Sequence, residues 1–233
     1  MKNKTNVVVA LTYNAPHLKS QQVLTNWASR RAFDVLVVGL PFRQFRKRSP
    51  QFAHRPNQDC GTPIQATCAE LGYEFREALS LEELPPLLRS SDCGVVLGAG
   101  ILPEAVVSAC PIINCHPGII PESRGQDAFK WAILDDRDLG VTLHVIDAEV
   151  DMGKVLHVER TPIFSGDTLV QLSKRHYELE IFLLSTFDLP RRFRHATSSE
   201  ALPPKGRMNI VDEGRMMEVS MDYIQRRGVA GPP

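Results

Sequence analysis

Four short, uninterrupted apolar runs, separated by segments with helical patterning, are the feature that most constrains how this chain folds. Runs of this length predict strands that are buried on both faces, as in a parallel sheet covered by helices. We therefore predict an α/β fold, with a mostly parallel sheet and helices on both of its faces. In open sheets of this kind, ligands bind beyond the carboxyl ends of the strands. The runs are residues 6–12 (NVVVALT), 34–40 (DVLVVGL), 93–100 (CGVVLGAG) and 111–115 (PIINC).

The second half of the chain has a different pattern. Residues 140–164 predict two strands around the loop DAEVDMG. After residue 188 the composition shifts, and the stretch PRRFRHATSSEALPPKGRMN is typical of a linker or an extended arm. The sequence IVDEGRMMEVSMDYIQRRG then predicts one amphipathic helix. We divide the chain into a main, catalytic domain over residues 1–188 and a C-terminal extension, arm and helix, over residues 189–233.

Charge and cysteine content argue against several classes of protein. The chain has 233 residues, and 27 Lys and Arg balance 27 Asp and Glu, so we expect no nucleic-acid or membrane partner. No apolar run reaches the roughly 18 residues of a membrane span, and we interpret the N-terminal VVVAL as a strand rather than as part of a signal peptide. The five cysteines form no CxxC pair, so we expect neither a metal site nor disulfides, and a cytoplasmic location.

Polar side chains stand where the fourth predicted strand ends. Asn114 and His116 lie two positions apart, so their side chains share one face of the strand, while Cys115 points to the other face and is predicted to be buried packing. Pro117 cannot continue the ladder of hydrogen bonds, so we expect the strand to stop at His116. Asp151 follows on the later loop. An imidazole, an amide donor and a carboxylate are the parts for acid–base chemistry on a carbonyl, although spacing alone does not distinguish this trio from other combinations.

Two segments in this order resemble a known signature. NCHPGIIPESRG, followed by GVTLHVIDAEVDMGKVL, is similar to the motifs of the 10-formyltetrahydrofolate-dependent formyltransferases, and the resemblance covers residues 94–184. It implies the formyltransferase fold, a Rossmann-like arrangement, with 10-formyltetrahydrofolate as co-substrate. It also implies Asn114, His116 and Asp151 as the catalytic trio. In that role Asn114 and protonated His116 stabilise the tetrahedral oxyanion, and Asp151 orients His116 and favours its charged form.

Further site residues are expected around this trio. The resemblance places the folate between the sheet and the loop near residues 147–153, and His144 where the family often has a histidine; a packed strand histidine is the alternative. Arg124 and Gly125 precede a helix whose start favours an anion, with capping or loop packing as the alternative. The predicted donor-binding residues are Gly98, Ile146, Asp147, Val150 and Gly153. The predicted substrate-binding residues are Arg124, Gly125 and His144.

A basic segment precedes these motifs. The sequence PFRQFRKRSPQFAHR interleaves aromatic and cationic side chains, and it is suited to acceptor phosphates, a folate glutamate tail or nucleic acid. We favour the alternative of a solvated basic loop. The cationic residues are Arg43, Arg46, Lys47, Arg48 and Arg55.

Differences between this sequence and each branch of the family narrow the choice of acceptor. The purine enzyme that formylates glycinamide ribonucleotide has a glycine-rich loop after its first strand, whereas ALTYNAPHLKS contains no glycine. The initiator-tRNA enzyme has a second, barrel-like domain, and the hydrolase an N-terminal regulatory domain, which we do not expect here. We therefore expect an N-formyltransferase that acts on the primary amine of a small molecule, a nucleotide-linked amino sugar. Three alternative functions stay open: a glycinamide ribonucleotide formyltransferase, a formyltetrahydrofolate hydrolase and a non-catalytic folate-binding module. A homodimer formed through the C-terminal helix also stays open.

Overall fold

The centre of the fold is a sheet of seven strands, seen in a computed structural model that describes residues 6–42, 49–147, 153–188 and 202–231. The strand order is β3-β2-β1-β4-β5-β6-β7. Strands β1 to β5 run parallel, and β6 and β7 are antiparallel to their neighbours. The strands are β1 (Val7–Tyr13), β2 (Asp34–Leu40), β3 (Glu74–Glu77), β4 (Cys93–Val96), β5 (Ile112–His116), β6 (Gly140–Val145) and β7 (Val155–Arg160).

Helices cover both faces of this sheet, as the apolar runs predicted. On one face, α1 and α6 pack over β1 and β5, and the indole N–H of Trp27 donates to the carbonyl oxygen of Leu184 at 2.8 Å. On the other face, Leu84 and Leu88 of α3 and Val106 of α4 are buried. The helices are α1 (Leu18–Arg30), α2 (Ile64–Leu71), α3 (Leu84–Arg89), α4 (Glu104–Val107), α5 (Ala128–Leu134), α6 (Leu169–Thr186) and α7 (Ile210–Arg227).

The four apolar runs form the central strands, and one edge strand was missed. Strand β3 has the sequence EFRE, and three of its four residues are exposed. Such a short polar strand carries no apolar pattern, because it pairs at the edge with β2 alone. Within the described ranges, no helix combines the length and the hydropathy that a membrane span requires.

The C-terminal helix packs against the main domain. Met216, Tyr223 and Ile224 of α7 lie in a buried apolar cluster with Phe129 and Ile133 of α5. The predicted boundary at residue 188 borders residues 189–201, which lie outside the described part of the chain, so the division into two domains stays a prediction.

A buried ion pair joins the same two helices. The ammonium group of Lys130 on α5 contacts the carboxylate of Glu213 on α7, and their side chains are only 3% and 1% exposed. The carboxylate also accepts a hydrogen bond from the backbone N–H of Gln51 at 2.8 Å. Both charges depend on this contact, because neither reaches bulk water.

Replacing Glu213 therefore tests how firmly α7 is held. Glu213→Gln leaves the Lys130 ammonium buried without its carboxylate, so we expect the free energy of unfolding in urea to fall by about 3–5 kcal/mol. Glu218→Gln, at an exposed position of the same helix, is the control and should change it by less than about 0.5 kcal/mol. Equal effects of the two substitutions would contradict a structural role for the pair.

Candidate functional site

A cleft of about 400 Å³ opens where β1, β4 and β5 end. This is the edge at which open sheets bind ligands. The cleft is bounded below by strand ends, on one side by α6, and on another by the loop that precedes α5. Residues that line it include Tyr13, Gly98, Asn114, Pro117, Gln126 and Glu180.

Strand pairing sets the position of Asn114, the first of the predicted catalytic residues. Asn114 of β5 lies directly opposite His144 of β6 in the antiparallel register. The Asn114 amide Nδ2 lies 3.2 Å from Nε2 of His144, which is fully buried, so the amide donates and the imidazole accepts. Because an amide nitrogen carries two hydrogens, one N–H remains for a group in the cleft that Asn114 lines.

His116 lies on the same face of β5, and its ring centroid is 6.5 Å from that of His144. Its side chain is buried, with Nε2 2.7 Å from the carbonyl oxygen of Ser123. A carbonyl oxygen only accepts, so Nε2 carries the hydrogen. In the neutral imidazole, Nδ1 is then the nitrogen that accepts a proton.

The loop after His116 is held by close backbone packing. The hydroxyl of Thr142 donates to the carbonyl oxygen of Gly118 at 2.7 Å and accepts from the N–H of Ile120 at 3.1 Å. A Cβ on Gly118 would lie 2.4 Å from the Ser123 oxygen and 2.8 Å from Nε2 of His116. Glycine is therefore required beside the imidazole, and β5 ends at His116 as predicted.

Cys115, between the two polar residues, faces the opposite side of the sheet. It is 2% exposed, and its sulfur lies 3.8 Å from the carbonyl oxygen of Glu180. Burial raises the pKa of its thiol well above the usual value. The predicted packing role is confirmed, because the side chain is buried and burial disfavours the thiolate that a nucleophile needs.

The third member of the trio, Asp151, lies outside the described residues, as does the predicted donor-binding residue Val150. The structure thus brings Asn114 and His116 to one edge, and the role of Asp151 stays a prediction. Among the residues described, no three His, Cys, Asp or Glu side chains converge as a metal site.

Of the remaining predicted donor-binding residues, Gly98 lines the cleft. A Cβ there would lie 2.9 Å from the rings of Tyr13 and His17. The backbone N–H of Ile146 donates to Ile112 at 2.8 Å, and Asp147 is exposed. Gly153 is needed because a Cβ would lie 1.7 Å from the carbonyl oxygen of Val145, so the close approach is to the chain's own backbone. Contacts of these residues with a donor stay predictions.

The predicted substrate-binding residues divide between the cleft and the loop. Gly125 lines the cleft and has a φ of +90°, a conformation that favours glycine. The Arg124 guanidinium instead donates to the carbonyl oxygen of Leu202 at 3.0 Å, which supports the alternative of loop packing. His144 is a buried strand histidine that contacts Asn114, and its role toward the substrate stays a prediction.

A buried carboxylate in the cleft wall was missed. Glu180 of α6 is fully buried, and its two oxygens accept from Lys19 Nζ at 2.9 Å and from Arg55 Nη2 at 2.7 Å. The interpretation of the basic segment as a solvated loop is wrong for Arg55, because the Arg55 guanidinium is held against the Glu180 carboxylate. The other four cationic residues of that segment lie outside the described part of the chain. The signal was present, since Glu180 follows Leu172 and His176 at four-residue spacing along a buried stripe.

These charges set the ionisation of the cleft. Burial alone would raise the pKa of Glu180, but the charges of Arg55 and Lys19 prevail and lower it to about 2. Burial, together with the charges of Lys19 and Arg55, lowers the pKa of His17 to about 4. At neutral pH the wall therefore carries two cations that share one carboxylate, beside a neutral imidazole.

Comparisons with known proteins bear on the family and the fold. A family model described as formyl transferase matches residues 48–186, more than half of the chain. A methionyl-tRNA formyltransferase from Ruegeria pomeroyi is 33% identical over 136 residues, which cover 54% of this chain and 44% of that protein. The chain thus spans about half the length of the curated relatives it matches.

Solved structures with the same fold cover more of the chain. A sugar N-formyltransferase from a Shewanella species superposes with a TM-score of 0.60 at 18% identity and covers 92% of this chain and 87% of that one. A glycinamide ribonucleotide transformylase from Symbiobacterium toebii superposes with a TM-score of 0.58 at 18% identity and covers 78% of this chain and 84% of that one. The predicted formyltransferase fold is confirmed.

The buried carboxylate predicts a pH dependence of stability. The folded pKa of Glu180, about 2, is below its usual value of 4.5, so its contribution is complete above about pH 4.5 and is lost as the pH falls toward 2. We expect that loss to be roughly 3 kcal/mol, measured as the free energy of unfolding against pH. Glu180→Gln should be less stable at pH 6 and flatter between pH 4.5 and 2. Parallel curves for the two proteins would contradict an ionised Glu180 in the fold.

Proposed function

Since this chain belongs to the formyl transferase family, we propose that it transfers a formyl group from 10-formyltetrahydrofolate to the primary amine of a small acceptor. Members of the family use 10-formyltetrahydrofolate as formyl donor. The observation that carries the proposal is the position of Asn114 and His116 at the end of β5, where the amide keeps one N–H for the cleft.

The reaction needs one bond made, one bond broken and one proton moved. The acceptor's neutral amine forms a bond to the formyl carbon, and the bond from that carbon to N10 of the donor then breaks. A proton passes from the amine nitrogen to N10, which leaves an N-formyl amine and tetrahydrofolate. In between, the formyl oxygen carries negative charge, and a fixed amide donor in a water-poor site stabilises that charge.

Asn114 and His116 divide this work. The Asn114 amide, held by His144, donates its second N–H to the oxyanion. His116 is held through Nε2 by the carbonyl oxygen of Ser123, and we assign the proton transfer to its Nδ1. By the family resemblance, Asp151 orients this imidazole and favours its charged form.

We propose a small acceptor, a nucleotide-linked amino sugar, on the basis of three observations. The cleft volume of about 400 Å³ suits a small molecule. The fold of the sugar N-formyltransferase covers 92% of this chain, against 78% for the glycinamide ribonucleotide transformylase. The turn after β1 places Tyr13 and His17 at the cleft, and it has no glycine-rich loop to hold a ribonucleotide phosphate. Methionyl-tRNA is the competing acceptor, because the curated relatives act on it.

Substitution of Asn114 tests the catalytic assignment. Asn114→Ala removes the oxyanion donor, so we expect kcat to fall about a hundredfold to a thousandfold, with the acceptor's KM little changed. The measurement is formation of tetrahydrofolate in the presence of the acceptor. Cys115→Ala, its buried neighbour, is the control and should keep most of the wild-type kcat. The assignment is wrong if the two variants lose activity equally while both remain folded.

An acceptor screen tests the proposed reaction itself. Wild-type protein is incubated with 10-formyltetrahydrofolate and one acceptor at a time: a nucleotide-linked amino sugar, glycinamide ribonucleotide, methionyl-tRNA, or none. We expect amine-dependent turnover with the amino sugar. Formate released without an amine would instead identify a hydrolase, and donor binding without turnover in any arm would identify a non-catalytic folate-binding module.

A further inference from the structure

The C-terminal segment, residues 202–208, is attached to the loop that precedes α5. The backbone N–H of Lys205 donates to Arg124 at 3.0 Å, and the N–H of Gln126 donates back to Lys205 at 2.9 Å. These bonds form a parallel bridge opposite Gly125, where a Cβ would lie 2.1 Å from the Lys205 oxygen. The bridge therefore requires glycine at the cleft edge, and it joins the extension to the loop whose Ser123 holds His116.

Both neighbours of Arg207 are fixed. On one side, the Trp131 indole N–H donates to the carbonyl oxygen of Gly206 at 2.9 Å, and the Lys205 ammonium lies 4.2 Å from the centre of the same indole ring. On the other side, Met208 is fully buried, and its N–H donates to the Asp127 carboxylate at 3.0 Å. The backbone of Arg207 is thus set by its neighbours, independently of any contact made by its own side chain.

Arg207 stands between two cavities. It lines the cleft that holds Asn114, and it also lines an adjoining cavity of about 380 Å³ between α7 and residues 50–59. His54, Arg55, Gln58 and Asp127 line both cavities as well, so the two cavities adjoin one another. An acceptor whose amine reaches Asn114 would extend past Arg207 into this second cavity.

Among the described residues, the charged groups around these two cavities leave the Arg207 guanidinium available to bind an anion. Arg55 and Lys19 share the Glu180 carboxylate, and Lys130 is paired with Glu213. The Asp127 carboxylate accepts from the Met208 backbone. Arg207 is exposed and forms no ion pair with a residue in the described part of the chain. Among the described residues that line the cleft are three cations, Lys19, Arg55 and Arg207, and two carboxylates, Asp127 and Glu180.

We propose that Arg207 binds a phosphate or diphosphate group of the acceptor and is therefore a specificity-determining residue. A guanidinium matches phosphate oxygens with two parallel hydrogen bonds, and it does so best when its backbone is already fixed. Arg207 lies outside residues 48–186, so it belongs to this chain's own extension rather than to the part that the family model matches. The inference rests on the proposed function for the identity of the ligand as acceptor.

Binding of an anion without catalysis tests the site. Inorganic pyrophosphate is titrated by calorimetry into wild type, Arg207→Ala, Arg207→Lys and Arg215→Ala at constant ionic strength. Losing a charge-assisted hydrogen bond weakens binding about tenfold to a hundredfold in Arg207→Ala, with a smaller effect in Arg207→Lys. Arg215, an exposed arginine of α7, is the control and should leave binding unchanged. No binding by wild type, or equal binding by Arg207→Ala, overturns the inference.

Kinetics with the same variants separate this inference from the proposed function. In Arg207→Ala, we expect KM to rise about tenfold for a phosphate-bearing acceptor and to stay unchanged for 10-formyltetrahydrofolate. A matching rise in the donor's KM would assign Arg207 to the donor and overturn the inference. Pyrophosphate binding that depends on Arg207, in a protein that turns over no donor, would support the anion site and contradict the proposed formyl transfer.

Discussion

The antiparallel register between β5 and β6 is the constraint on which the site depends. It sets Asn114 opposite His144, which its amide contacts, and His116 opposite Thr142, whose hydroxyl holds the loop that follows His116. A shift of one residue would turn Asn114 and His116 to the face that holds Cys115 and the α6 helix. The strand pairing therefore places both predicted catalytic side chains of β5 on one face of the sheet.

Close backbone packing holds the loops around that register. Gly118 leaves room for the His116 imidazole beside Ser123, and Gly125 leaves room for the carbonyl of Lys205. The loop between them carries two attachments: one to the His116 imidazole and one to the C-terminal extension. The buried pair of Lys130 and Glu213 holds the helix that follows this extension. The extension is thus part of the wall of the cleft, and it adds Arg207 to the two cations, Lys19 and Arg55, that the main domain supplies.

The central part of the fold and two members of the site follow from local sequence. The apolar runs predict the central strands because burial on both faces needs uninterrupted apolar residues, and Pro117 predicts where β5 stops. Strand β3 was missed because EFRE has no apolar pattern at a sheet edge. The ion pairs of Glu180 with Lys19 and Arg55 join positions that are 161 and 125 residues apart, which no local pattern encodes. The contact of Lys205 with Gly125 is non-local in the same way. The sequence pattern of a linker therefore did not predict that this segment forms part of the cleft wall.

The claim that Asn114 and His116 act on one formyl group is tested most directly by a crystal structure with a stable analogue of the formyl donor. The account predicts that the oxygen standing for the formyl oxygen lies within hydrogen-bond distance of Asn114 Nδ2, with the imidazole of His116 beside the same carbon. An analogue bound elsewhere, or bound with that carbon beyond contact of both side chains, would contradict it.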